Sequence, residues 1–129
     1  MRFLIFISLF LFFKLNLYGQ VFSEVQKIVA DDRDFARFGN AIAISGDYAV
    51  ISATIVGHEE KNTVYIYQKK ISGQWIQTQK IISPNSSSGA LDVFGFSVDI
   101  HDDYIIIGDP YNRNINNSHF QGAAYIYQR

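Results

Sequence analysis

Short runs rich in Ile, Val, Ala and Tyr alternate along this chain with small clusters of Gly, Asn, Asp and Ser, and no window carries an apolar period of 3.6 residues. That pattern predicts strands joined by turns and no helices. Strands are expected at residues 21–29, 41–44, 48–52, 63–68, 75–82, 97–100, 104–108 and 123–128. The polar pairs Ser45-Gly46 and His101-Asp102 fall between consecutive runs and predict tight antiparallel hairpins. Two runs, Tyr48-Ala49-Val50-Ile51 and Tyr104-Ile105-Ile106-Ile107, do not alternate apolar with polar. An antiparallel strand with one wet face does alternate, so these two are expected to be covered on both faces.

The runs are also duplicated. Residues 38–54 (FGNAIAISGDYAVISAT) and 94–110 (FGFSVDIHDDYIIIGDP) align without a gap and share six of seventeen positions, where ordinary composition gives about one. Gln26-Lys27-Ile28 recurs as Gln79-Lys80-Ile81, and Tyr65-Ile66-Tyr67-Gln68 recurs as Tyr125-Ile126-Tyr127-Gln128, in the same order in both copies. Length differences between the copies fall in the polar loops SPNSSSGALDV and YNRNINNSHFQG, which leaves strand register intact. The expected fold is all-β, with two four-stranded antiparallel units at about 21–70 and 71–129, each opening on its Gln-Lys-Ile strand. Such units bury their apolar faces only against stacked neighbours, as propeller blades do. A two-sheet sandwich explains the hairpins but not the repeated quartet.

The Phe-Gly pair before the second strand, the hairpin, the Gly108-Asp109-Pro110 ending (Ser52-Ala53-Thr54 in the first copy) and the aromatic fourth strand resemble the FG-GAP repeats of integrin α-chain-like β-propellers. The closer resemblance is to FG-GAP repeats of secreted bacterial proteins, and it covers almost all of residues 20–129. It implies structural roles: Gly39 and Gly95 let the backbone turn beneath Phe38 and Phe94, which plug between blades, and Pro110 ends a strand. Integrin-like repeats often carry a calcium loop between the second and third strands. Here that connection is two residues long, and Asp99, Asp102 and Asp103 beside it fall short of the six to eight oxygen ligands that calcium takes. No metal and no cofactor is expected.

Composition narrows the setting. Arg2, the apolar run Phe3 to Phe13 and Gly19 read as a secretory signal peptide over residues 1–19, which places the remaining chain outside the cell or at its surface, with no membrane contact after cleavage. Lys14 cuts the apolar run below the roughly 20 residues that span a bilayer. There is no cysteine, so burial and backbone pairing alone stabilise the fold. Eleven basic residues nearly balance twelve acidic ones without a basic block, which argues against nucleic acid as a partner.

Candidate chemistry is sparse. His58, His101 and His119 lack ligand spacing, and Asp31, Asp32 and Asp34 form an acidic loop cluster of the kind that is usually solvated. Trp75 reads as a packing residue at a blade edge. Asn85-Ser86-Ser87 and Asn116-Asn117-Ser118 match the N-glycosylation acceptor pattern. No catalytic, cofactor or metal residue is nominated. The loop at 111–121 is the expected contact surface, since propellers bind through rim loops.

Two units supply eight strands, whereas a closed propeller takes about four to eight blades. A longer product is therefore expected, with ring completion by self-association, through exposed blade edges, as the other route. The function expected is an exported, non-catalytic recognition or adhesion scaffold for a protein or glycan ligand. The alternative is the front part of a secreted propeller enzyme acting on polysaccharide.

Overall fold

Seven strands form in the computed structural model, which describes residues 19, 21–30, 37–54, 62–84, 93–113 and 119–129. β1 (Phe38–Ser45), β2 (Tyr48–Ala53), β3 (Thr63–Lys69) and β4 (Trp75–Ile82) make one antiparallel meander in that order; β5 (Ser97–His101), β6 (Tyr104–Asp109) and β7 (Ala123–Gln128) make a second. No helix occurs among the described residues. The fold is all-β with two propeller-type sheets, as expected from the runs. The segment 1–18, the acidic cluster at Asp31, Asp32 and Asp34, His58 and both glycosylation motifs lie outside the described residues.

Two expectations need correction. Residues 21–29 do not form a strand, and the strand at Trp75–Ile82, which opens the second sequence repeat, does not join the second sheet. It closes the first, pairing with β3 through Lys69↔Trp75, Ile66↔Gln79 and Tyr65↔Lys80. The second sheet therefore has three strands rather than four. The physical reason is proximity. A hairpin at 70–74, closed by Lys70 N–H to Gln74 C=O at 2.8 Å, brings β4 onto β3 at little cost in loop entropy, whereas residues 83–96 separate β4 from β5.

The hairpins fall one residue later than expected. Ser45↔Tyr48 and His101↔Tyr104 are the closing pairs, so Gly46-Asp47 and Asp102-Asp103 are central. Only the first residue of each has a positive φ, 55° at Gly46 and 49° at Asp102, the II′ pattern that matches strand twist.

β5 packs beside β1 and β2, which brings one face of each sheet together. Between them lies the main core: Val50, Val64, Ile66 and Ile81 from the first sheet against Phe94, Ile100 and Ile107 from the second. Burying each such side chain contributes about 1.5–3 kcal/mol relative to exposure. Because side chains alternate across a strand, Ala49, Ile51, Ala53, Tyr65 and Tyr67 point to the opposite face of the first sheet. There they pack with Phe38, Trp75, Ile28 and Ala30 in a smaller cluster. β2 is thus covered on both sides as its sequence predicts, while β6 is covered on one side only, with Ile106 exposed.

The two repeats share local contacts. Phe38 meets Tyr65 edge-on at 5.4 Å, and Phe94 meets Tyr125 edge-on at 5.2 Å. The N–H of Lys69 donates to Asp47 C=O at 2.8 Å, as that of Arg129 does to Asp103 C=O at 2.9 Å. Only the second phenylalanine plugs between sheets. Phe94 is fully buried in the main core, and Thr54 Oγ1 donates to its carbonyl at 3.0 Å; Phe38 stays half-buried on the outer face.

Candidate recognition surfaces

The loop after β6 is built on a buried aspartate. Asp109 ends the strand, and Pro110, which has no N–H to give a ladder, opens the turn. The Asp109 carboxylate accepts from Val93 N–H at 3.4 Å and from Asn112 Nδ2 at 3.1 Å. The same Asn112 side-chain amide donates to Tyr125 Oη at 2.8 Å, and the Asn112 backbone carbonyl accepts from the N–H groups of Gln121 and Gly122. Both ends of the 111–121 loop are therefore clamped at one residue. Gly122 is required here, because its φ is 72° and an added Cβ would lie 3.3 Å from Pro110 O.

From that clamp the loop presents an aromatic and cationic cluster. Arg113 lies over the Phe120 ring at 4.5 Å, Tyr111 meets Phe120 edge-on at 5.5 Å, and Arg113 and Phe120 form an isolated antiparallel bridge. Tyr111 and Phe120 remain 48% and 43% exposed, so apolar ring area and a charged fork face solvent together. Those residue types dominate binding hot spots. Residues 114–118 of the loop lie outside the described set.

A cleft of about 270 Å³ opens near the two II′ hairpins, floored by Ile66, Ile81, Ile100 and Ile105 and rimmed by Tyr48, Gln68, Tyr127 and Arg129. Arg129 stacks on Tyr48 at 4.2 Å and pairs with Asp103, tying the second sheet to the first. The Asp103 hydrogen bond, then that of Tyr48, push the Arg129 guanidinium above its ordinary range. Burial pushes the Tyr127 phenol up. Gln68 Nε2 donates to Tyr48 Oη at 3.0 Å. The rim side chains thus bond to one another across the seam.

The three aspartates singled out in the sequence do not converge. Asp99 accepts from the Ile100 N–H at 2.8 Å, Asp103 pairs with Arg129, and Asp102 lies beside His101 at 3.4 Å on an exposed turn. His119 is exposed in the loop. Among the described residues no group of three or more His, Cys, Asp or Glu is placed to hold a metal. Trp75 is half-buried against the Tyr65 and Tyr67 cluster, and its backbone N–H and C=O are held by the Gln26 side-chain amide at 2.8 and 3.0 Å. Sequence reasoning nominated the 111–121 loop but did not anticipate the clamp at its base. Its signal was present in Asp109-Pro110-Tyr111-Asn112, since Asx residues around a proline turn commonly bond back to the chain.

Comparison with known proteins agrees with this geometry. A sequence profile of the FG-GAP repeat matches residues 22–67 and 75–127. The chain is 31% identical over 91 residues to Integrin alpha pat-2 of Caenorhabditis elegans, an alignment that covers 64% of this chain and 7% of that relative. No solved structure matches.

Proposed function

The chain belongs to the FG-GAP repeat family, and from that premise we propose that it is an exported, non-catalytic recognition and adhesion module that engages a protein ligand outside the cell or at its surface. The observation that carries this reading is the clamped rim loop, which offers Tyr111, Arg113 and Phe120 on a rigid base. Ordering the base in advance removes part of the entropy cost of binding. The likeness to an integrin α-chain supports an adhesive role, and the chain spans 7% of that relative's length.

Beads coated with the purified chain test the reading against untreated and protease-treated cell surfaces. Adherence to untreated surfaces only is expected, and combining Arg113→Ala with Phe120→Ala lowers it roughly tenfold or more. Equal adherence of that double variant would remove the loop from the interface. Release of reducing sugar from a polysaccharide panel by the chain would instead support the enzymatic alternative.

A further inference from the structure

The second sheet ends at β7, which has no strand on its outer side among the described residues, while residues 21–30 form no strand and leave Val21, Phe22 and Val25 exposed. These two features match each other. β7 repeats the Tyr-Ile-Tyr-Gln of β3, and residues 22–29 repeat the place of β4: the family profile starts once at Phe22 and once at Trp75, and Gln26-Lys27-Ile28 recurs as Gln79-Lys80-Ile81. In the first sheet those repeated blocks are hydrogen-bonded partners.

We infer that residues 21–29 of a second copy of this chain add to β7 as its fourth strand. Transferring the β3–β4 register gives Ala124↔Ile28, Tyr125↔Lys27 and Ile126↔Gln26, from Val64↔Ile81, Tyr65↔Lys80 and Ile66↔Gln79. Lys27 then stands to Tyr125 as Lys80 stands over the Tyr65 ring, at 5.4 Å. Backbone pairing with an open edge gives the affinity, and the matching side-chain register gives the selectivity.

Residues 21–29 of the same chain are not placed to be the donor. Within one chain Ile28 and Ala30 pack with Phe38 and Tyr65, on the face of the first sheet turned away from the second. The first sheet stands between its own residues 21–30 and β7. A second copy set against the second sheet meets no such obstacle, because a linker as long as residues 30–37, which joins the donor strand to its own β1, can span at most about 26–29 Å.

The sheet faces carry the same message. The outer face of the first sheet holds Phe38, Ile42 and Ile44, repeat equivalents of Phe94, Val98 and Ile100 at the existing interface. The outer face of the second holds Tyr104, Ile106 and Ile126, equivalents of Tyr48, Val50 and Ile66 on the other side of that interface. A second copy therefore supplies both a face and a strand to match those that the described residues leave uncovered. The contact is head-to-tail, so it propagates to a closed ring or an open array.

Engineered cysteines test the pairing directly, since the chain has none of its own. Full chain carrying Ala124→Cys is mixed with full chain carrying Ile28→Cys and oxidised. A disulfide-linked heterodimer is expected, in roughly tenfold or greater excess over the product of Ala124→Cys with Ile71→Cys, because bridging demands close Cβ atoms. Ile71 is fully exposed in the β3–β4 hairpin, distant from the proposed contact. Equal yields would overturn the pairing. Sedimentation of the unmodified chain should show concentration-dependent association that Lys27→Pro abolishes, since proline cannot donate to the ladder. A strictly monomeric parent chain, or a Lys27→Pro chain that associates as well as the parent, would also overturn it. Loss of association leaves the adhesion reading standing, and loss of adhesion leaves the association standing.

Discussion

Ile100 and Ile44 occupy the same place in the two repeats, yet one is 7% exposed and the other 66%. Ile66 and Ile126 are a second such pair, at 7% and 70%. The contrast lies in neighbours, not in residues. The inner faces of the two sheets cover each other, and the outer faces carry the same apolar pattern with no sheet against them among the described residues. A blade is thus an apolar object on two sides by design of its repeat, and its stability depends on what stands beside it.

The phenylalanines break the comparison most sharply. Phe94→Ala empties a fully buried site between sheets and should cost about 3–5 kcal/mol, while Phe38→Ala, half-buried on the outer face, should cost about 1–2 kcal/mol. Denaturant unfolding of both variants at low protein concentration measures the difference. Equal losses would mean that the two faces are equally covered in solution.

The glycines sharpen it next. Gly39 and Gly95 share a φ near 90°, at 89° and 85°, but a Cβ on Gly39 meets nothing within 4 Å, whereas one on Gly95 lies 2.9 Å from Ser52 Cβ and 3.1 Å from Val64 Cγ2. Gly39→Ala should cost only the backbone strain of about 1–2 kcal/mol, and Gly95→Ala about 1–3 kcal/mol more from overpacking. If the gap between the two variants closes as protein concentration rises, Gly39 has acquired a neighbouring sheet. The smallest effect concerns the strand ends. Thr54→Val leaves the buried Phe94 carbonyl without its hydroxyl donor and should cost about 1–2 kcal/mol, while Pro110→Val at the equivalent exposed position should stay within about 0.5 kcal/mol. Thermal melts of the two variants check this.

Most strands were legible because each run of Ile, Val and Tyr is bounded by residues that turn the chain; 63–68 and 75–82 lie within a residue of β3 and β4. The grouping of strands into sheets was not legible. A repeat has no marked beginning, so Gln79-Lys80-Ile81 reads equally as the last strand of one unit or the first of the next, and the short hairpin at 70–74 settles which edge it meets first. The candidate site divides in the same way. The sequence nominated the 111–121 loop, but the anchoring of its base comes from Asp109 and Asn112 reaching Val93 and Tyr125, contacts between positions far apart in the chain.

By itself, the order of apolar runs, turn residues and duplicated blocks determined an all-β chain with two equivalent repeats, because local pattern governs strand formation and repetition governs equivalence. Which strand closes which sheet, which of two matching faces is buried, and where Arg129 and Phe94 lock the repeats together were decided by tertiary packing alone. Identical patterns become different environments once a neighbouring sheet excludes water from one and not from the other.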